Sequence, residues 1–242
     1  MSPKKGIETK KELDSNLNLT ENQVRSFNRF LVVGTGKALN VLDTMFMLNI
    51  DRSDSSIEIV SAANSEKIKH LGSRPLYAIS GLLDGELQGR LHLLMRSKDF
   101  NCLSEVMKPI LRLLFLSSTD VKLASKENIE PDLMRDDGNA HPDERVFHEQ
   151  MMDTLTEMGN VLFGVYTSAI YKVYDLHTYH SFLEPLRDPD QRPIQQILSS
   201  QEMSEQHIVI ENEFSVLGNP IRFWCLISPT QKYFQEILNR ID

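Results

Sequence analysis

The same order of elements is predicted twice along the chain, and this duplication constrains the fold more than any single motif does. A long helix, a β-hairpin and a shorter helix are predicted over residues 20–116, and the order returns over residues 143–242. Identity between the halves is low, so the duplication is inferred from the element order alone. Two such halves predict one α+β domain, residues 20–242, in which long helices pack on an antiparallel sheet.

The first half begins at Thr20-Glu21-Asn22-Gln23, which has the form of a helix capping box. After the long helix, alternating and turn-forming residues predict a short strand over 56–62 and a hairpin over 77–95 that turns at 84–86. An apolar helix is expected over 101–116. The second half predicts a helix over 143–174, a hairpin from 207–216 and 221–227, and a closing helix over 229–241.

Composition excludes several classes of partner. The net charge of -8 and the pI near 5.4 argue against nucleic acid or an anionic membrane as the main partner. No apolar run approaches the ~20 residues that a membrane-spanning helix needs. Residues 1–19 are polar and lack the apolar core of a secretory signal, so they predict a flexible N-terminal arm and a cytoplasmic protein.

The stretch 117–142 differs from the rest of the chain. It is polar and acidic and contains Pro131, Gly138 and Pro142 but few large apolar residues. Connections of this length are uncommon inside a compact domain. We interpret it as an acidic insertion or linker between the two halves, and the sequence does not reveal its role.

The helix 143–174 carries the residues that point to function. Its apolar positions form one stripe, made of Phe147, Met151, Leu155, Met158, Leu162, Val165 and Ala169. Glu157 and Asn160 fall outside the stripe, with Asp153, Gly164 and Thr167. Residues three apart on a helix point the same way, so one partner could meet both Glu157 and Asn160, which we expect to face solvent.

Two glycines within or beside this face, Gly159 and Gly164, each cost a helix interior about 1 kcal/mol relative to alanine. We expect them to let another surface approach the helix closely. A Gly34-Thr35-Gly36-Lys37 sequence earlier in the chain lacks the spacing of a nucleotide-binding loop, because Ala38 and Leu39 stand where its defining residues would be. It predicts helix with close packing.

Three stretches resemble the CheX/CheC/FliY family of bacterial chemotaxis phosphatases, and CheX most closely. Residues 41–46 are similar to the end of the family's first helix, and residues 80–94 to its glycine-containing hairpin. Residues 153–164, DTLTEMGNVLFG, are similar to its signature helix, with Glu157 and Asn160 at the E-x-x-N positions. The resemblance covers residues 24–242 without the insertion and implies the CheX/CheC-like fold.

The resemblance also implies an activity. The family's substrate is a phosphorylated response regulator of the CheY type, whose Mg²⁺ and lysine hold the phosphoryl group, so no metal or cofactor of this chain is implied. Asn160 would position the attacking water and Glu157 would pair with the regulator's lysine. Asp153, Gly159 and Gly164 would contact the partner. Relatives of the CheX type also pair along a sheet edge, which implies a homodimer.

Other interpretations stay open. The chain has a second E-x-x-N sequence at Glu236–Asn239, which we attribute to chance. In the first helix, Arg29 and Val32 stand where the Glu and Asn of such a motif would be, so a site in the first half is absent. Related switch proteins share this fold without being phosphatases, so a non-catalytic adaptor for a response regulator or a flagellar-switch component is the alternative. A third possibility is that the insertion recruits another partner and catalysis is vestigial.

Overall fold

The structure, a computed structural model, describes residues 20–46, 50–61, 76–118, 142–186 and 206–239. The predicted N-terminal arm, 1–19, and all but the two ends of the predicted insertion, 117–142, lie outside the described residues.

The described residues form four helices and seven strands. The helices are α1 (Glu21–Phe46), α2 (Ser97–Ser118), α3 (Pro142–Tyr174) and α4 (Gln231–Asn239). The strands are β1 (Ile50–Ser61), β2 (Leu76–Gly85), β3 (Gly89–Arg96), β4 (Thr178–His180), β5 (Glu184–Pro185), β6 (Gln206–Val216) and β7 (Asn219–Pro229). Both predicted hairpins are confirmed, and the capping box is formed, since Thr20 and Gln23 exchange hydrogen bonds of 3.0 and 3.3 Å.

The strand order of the sheet is symmetric between the two halves. Its order is β1-β6-β7-β3-β2-β4, with β5 also paired to β2, and its paired strands are antiparallel. Exchanging β1 with β4, β2 with β6 and β3 with β7 reverses this order. The hairpins β2–β3 and β6–β7 therefore meet at the centre, and each half lends its first strand to the other half's hairpin. The α+β architecture predicted from the duplicated order is confirmed.

The two long helices pack against each other over the sheet. Gly34 of α1 lies under the ring of Tyr166, because a Cβ at residue 34 would stand 2.7 Å from the Tyr166 Cδ1 atom. Farther along the same interface the ring of Phe30 lies 6.0 Å from that of Tyr174. The glycine of the Gly34–Lys37 sequence therefore serves close helix packing, as predicted.

Helix α3 is buried on two sides, and this corrects part of the sequence analysis. The predicted stripe is buried or half-buried, but Phe163, Tyr166 and Ile170 are also buried, on the side of the helix that adjoins the stripe. A helix packed both on a sheet and on a neighbouring helix has a wider apolar face than a single stripe. The placement of Thr167 on the outward face is wrong, since its side chain is buried and bonds the Gly164 carbonyl.

Candidate functional site

An open face runs along the middle of α3. Asp153, Glu157 and Gly164 are exposed on it, and Asn160 is half-buried at its border. Their spacing of three and four residues places them on successive turns, as the sequence predicted. Glu157 thus presents a carboxylate to solvent, and Gly164 leaves the helix backbone uncovered beside it. The roles assigned to these residues by the resemblance stay predictions.

Gly159 does not belong to the open face. It is buried, and a Cβ there would stand 2.8 Å from Leu183 Cδ1 and 3.5 Å from Leu93 Cδ2. Placing it on or beside the outward face was therefore wrong. The close approach that a glycine permits at this position is made by Leu183 of the same chain.

Leu183 belongs to a bulged edge strand that passes beside α3. Strands β4 and β5 both pair with β2, with Leu83 opposite His180 and Ser80 opposite Glu184. Three residues of the outer strand, 181–183, thus face two residues of β2, which is the count of a β-bulge. Ser181 still donates its N–H to the Leu82 carbonyl at 2.9 Å. We call residues 181–183 the edge bulge.

The edge bulge engages the side chain of Asn160. The backbone N–H of Leu183 donates to Asn160 Oδ1 at 3.2 Å, whereas Asn160 Nδ2 is buried and has no hydrogen-bond partner. An N–H can only donate, which fixes the oxygen as the atom facing Leu183. A buried donor without an acceptor costs about 1–3 kcal/mol. The expectation of a solvent-facing side chain holds for Glu157 and is wrong for Asn160.

Sequence reasoning missed the residues of the outer strand that border the open face. Gly164 lies beside His180, whose Nε2 would be 3.7 Å from a Cβ at that position. Phe182 in the edge bulge is 77% exposed, and Tyr179 and Leu82 nearby on the paired strands are 61% and 53% exposed. Thr178-Tyr179-His180 has strand-forming residues, but a three-residue strand gives too short a pattern to predict its neighbours.

The arrangement offers a carboxylate and a carboxamide on one side of α3. A solvent-facing carboxylate at Glu157 suits a cationic side chain, and a carboxamide can both accept from water and donate to an anion. Within the described ranges, no group of three or more His, Cys, Asp or Glu side chains is arranged to hold a metal ion. The same ranges contain no helix long and apolar enough to cross a bilayer.

The second E-x-x-N sequence has different surroundings. Glu236 and Asn239 lie on α4, a helix of nine residues without glycine, and the intervening Ile237 is buried. The helix end is joined to α1, since Gln23 Nε2 donates to the Leu238 carbonyl at 3.3 Å. Asn239 is exposed and Glu236 is half-buried, and the edge bulge contacts the other copy, at Asn160.

Two buried histidines lie on β3 and β6. His92 Nδ1 is 2.7 Å from Ser80 Oγ, and His207 Nδ1 is 2.8 Å from Ser228 Oγ, while both Nε2 atoms are buried without a partner. Burial disfavours the charged imidazolium, so it lowers the pKa of His92 to about 3 and the pKa of His207 to about 4. Both imidazoles are therefore neutral at physiological pH.

Comparison with solved structures finds similarity to FliY, FliM and CheX. FliY from Thermotoga maritima has a TM-score of 0.55 at 14% identity, covering 93% of this chain and 98% of its own. FliM in the FliM–SpeE complex from H. pylori has a TM-score of 0.50 at 14% identity, with coverages of 92% and 96%. CheX in the CheX–CheY–BeF3–Mg complex from Borrelia burgdorferi has a TM-score of 0.43 at 16% identity, with coverages of 85% and 98%.

Sequence comparisons add no relative. No protein-family model matches the chain, and no curated protein matches it significantly. Structural likeness at such low identity shows the fold and leaves the activity open. The chain has the fold of FliY and FliM, and the resemblance predicted from its sequence is confirmed at that level.

Proposed function

We propose that this protein is a phosphatase of a phosphorylated CheY-like response regulator. One observation carries the proposal: Glu157 and Asn160 lie one turn apart at an open face of α3, beside an uncovered glycine and a bulged strand. Bulges are over-represented next to active sites, where they redirect side chains. The second copy, at Glu236 and Asn239, lacks these surroundings in the described part of the chain.

The proposed chemistry needs positioning more than reactive groups. An aspartyl phosphate is already activated, and the regulator supplies Mg²⁺ and a lysine to its phosphoryl oxygens, so this chain would need no cofactor of its own. The Asn160 carboxamide would hold a water in line with phosphorus without adding negative charge. Glu157 would pair with the regulator's lysine and set the angle at which Asn160 enters.

Asp153 and Gly164 extend the proposed contact surface in both directions from the pair. Asp153 adds a second exposed carboxylate one turn before Glu157, and Gly164 leaves room for a partner backbone one turn after Asn160. Gly159, which was also expected to contact the partner, would act indirectly through Leu183. A cytoplasmic location agrees with such a partner and stays a prediction.

A non-catalytic adaptor is the second candidate, and one observation favours it. Asn160 Oδ1 already accepts one of its two possible hydrogen bonds, and its Nδ2 is buried, so the carboxamide has no accessible donor in this arrangement. FliM, whose structure in complex with SpeE shares this fold, illustrates that the fold also serves binding. Such an adaptor would bind a regulator or a flagellar-switch component through the same face without turnover.

The experiment that separates the two candidates follows phosphoryl loss from phosphorylated CheY-type receiver domains in Mg²⁺, with and without this protein. A phosphatase accelerates the loss in proportion to its concentration. Binding of the phosphorylated receiver without acceleration would assign the adaptor function. Neither binding nor acceleration, across the receiver domains of the same genome, would exclude both.

A further inference from the structure

The amide nitrogen of Asn160 is withheld from any partner while the edge bulge stays in place. Leu183 N–H takes one of the two acceptor positions of the carboxamide oxygen, at 3.2 Å. The nitrogen is buried and has no acceptor. A carboxamide in this state can accept one more hydrogen bond through its oxygen, but it cannot donate to a phosphoryl oxygen. Donation to the phosphoryl group therefore requires the carboxamide to leave this arrangement.

The side chain of Leu183 holds this contact in place, and we call it the latch. Its side chain is 1% exposed and lies between two glycines, Gly81 of β2 and Gly159 of α3. A Cβ at residue 81 would stand 2.4 Å from Leu183 Cδ2, and a Cβ at residue 159 would stand 2.8 Å from Leu183 Cδ1. Any larger residue at either position would displace the leucine. The two glycines thus form a notch shaped for Leu183.

The segment that carries the latch is suited to movement. It lies between strands of three and two residues at one end of the sheet, and the bulge gives it one residue more than β2 opposite. Short edge segments with few pairing bonds belong to the low-stability parts of a fold. Phe182, next to the latch, is 77% exposed, so a partner could bury it as it approaches Glu157 and Asn160.

We infer that Leu183 is a positioning residue for Asn160, and that the edge bulge is a gate that a bound regulator displaces. The inference rests on the proposed function. In the free protein, Leu183 in its notch holds the carboxamide with its nitrogen buried. A partner that covers Phe182 moves the bulge, which frees Asn160 Oδ1 and gives Nδ2 an acceptor. The energy of partner binding is thereby used to expose the catalytic side chain.

The gate can be tested without any partner through the side-chain NH₂ of Asn160. In the full-length protein its NMR signals, assigned by their loss in Asn160→Ala, should exchange with solvent at least about tenfold more slowly than those of the exposed Asn239, because protected amides exchange only through opening. Leu183→Ala should bring the two rates together. Leu103→Ala, which truncates an equally buried leucine on α2, should leave the protection of Asn160 in place.

The same variants make a second prediction with a phosphorylated receiver domain. If only a small fraction of the molecules has the gate open, the apparent affinity for the receiver is reduced by that fraction. Leu183→Ala, which opens the gate, should therefore lower KM by about tenfold and leave kcat nearly unchanged. If Leu183→Ala does not fold, Gly81→Ala, which pushes the leucine from the notch, should give both effects. Leu103→Ala should not lower KM.

The outcomes are separable. Fast exchange of the Asn160 NH₂ in the wild type, or protection that persists in Leu183→Ala and Gly81→Ala, overturns the gate. An unchanged or higher KM in the opened variants overturns it as well. If no receiver domain loses phosphate faster, the proposed function fails, and the exchange measurement still decides whether Leu183 controls Asn160.

Discussion

Gly159 of α3 lies so close to Leu183 that a Cβ at residue 159 would stand 2.8 Å from the leucine's Cδ1 atom. Gly164, five residues later on the same helix, faces open space: a Cβ there would have only His180 Nε2 near it, at 3.7 Å. Two glycines that looked alike in the sequence therefore have different roles. Gly159 makes room for Leu183 in the core, and Gly164 leaves the surface of the helix exposed.

Alanine substitutions at these glycines should have opposite effects on stability. Gly164→Ala should raise the free energy of unfolding by about 0.5–1 kcal/mol, because alanine is the better helix former. Gly159→Ala should lower it by about 1–2 kcal/mol, because the cost of overpacking against Leu183 exceeds that gain. Urea unfolding measures both values. Stabilisation by both substitutions would mean that Leu183 does not occupy the notch.

Glu157→Ala should weaken binding of a phosphorylated receiver without affecting the fold. An exposed side chain on a helix changes stability by no more than about 0.5 kcal/mol. The loss of affinity should shrink as salt rises, since a contact with the regulator's lysine is screened. Glu149→Ala, which removes another exposed acid from the same helix, is the control and should leave affinity unchanged. Equal losses from both would indicate a general charge effect.

Much of the fold could be predicted because its signals are local. The turn at 84–86, the capping box at 20–23 and the long apolar stripe of α3 each depend on residues close in sequence. They fix the first hairpin, the start of α1 and the helix that carries Glu157. The face of that helix also followed from spacing, since Asp153, Glu157 and Gly164 are exposed as expected.

The covering of Asn160 could not be predicted because it depends on contacts distant in sequence. Leu183 reaches Asn160 only after the chain leaves α3 and pairs with β2, and strands as short as β4 and β5 leave almost no pattern. Thr167, which periodicity placed outside, is likewise buried. A single apolar stripe does not reveal that a second element covers the neighbouring side of the helix.

Acid should destabilise the fold through its two buried histidines. The unfolded chain binds protons near the ordinary histidine pKa of about 6.5, whereas the folded pKa values of His92 and His207 are about 3 and about 4. A depressed pKa contributes stability that is complete above pH 6.5 and is lost as pH falls towards the folded values. Between pH 7 and 5.5 the loss should be about 1 kcal/mol per histidine.

Urea unfolding at those two pH values measures this loss, and His207→Gln provides the comparison. Glutamine can keep a hydrogen bond to Ser228 but does not titrate, so the variant should lose about 1 kcal/mol less than the wild type over the same interval. Identical pH dependence in both proteins would mean that His207 is not held neutral by the fold.

A homodimer joined along a sheet edge stays a prediction of the family resemblance. Among the described strands, the sheet ends in β1 on one side and in the short pair β4 and β5 on the other. The edge bulge interrupts the second edge, so the twelve-residue β1 is the edge suited to pairing with another copy. Light scattering at micromolar concentration should give twice the 27.8 kDa of one chain. A monomer would remove this prediction.

The loss of phosphate from a phosphorylated receiver domain in the presence of Asn160→Ala tests the central claim most directly. Removing the water-positioning amide should reduce turnover to the receiver's own rate while binding is nearly kept, because the amide acts mainly in the transition state. Glu236→Ala and Asn239→Ala, in the second E-x-x-N sequence, should turn over as the wild type does. Full activity in Asn160→Ala, or its loss in Glu236→Ala, would contradict the assignment of the site to α3.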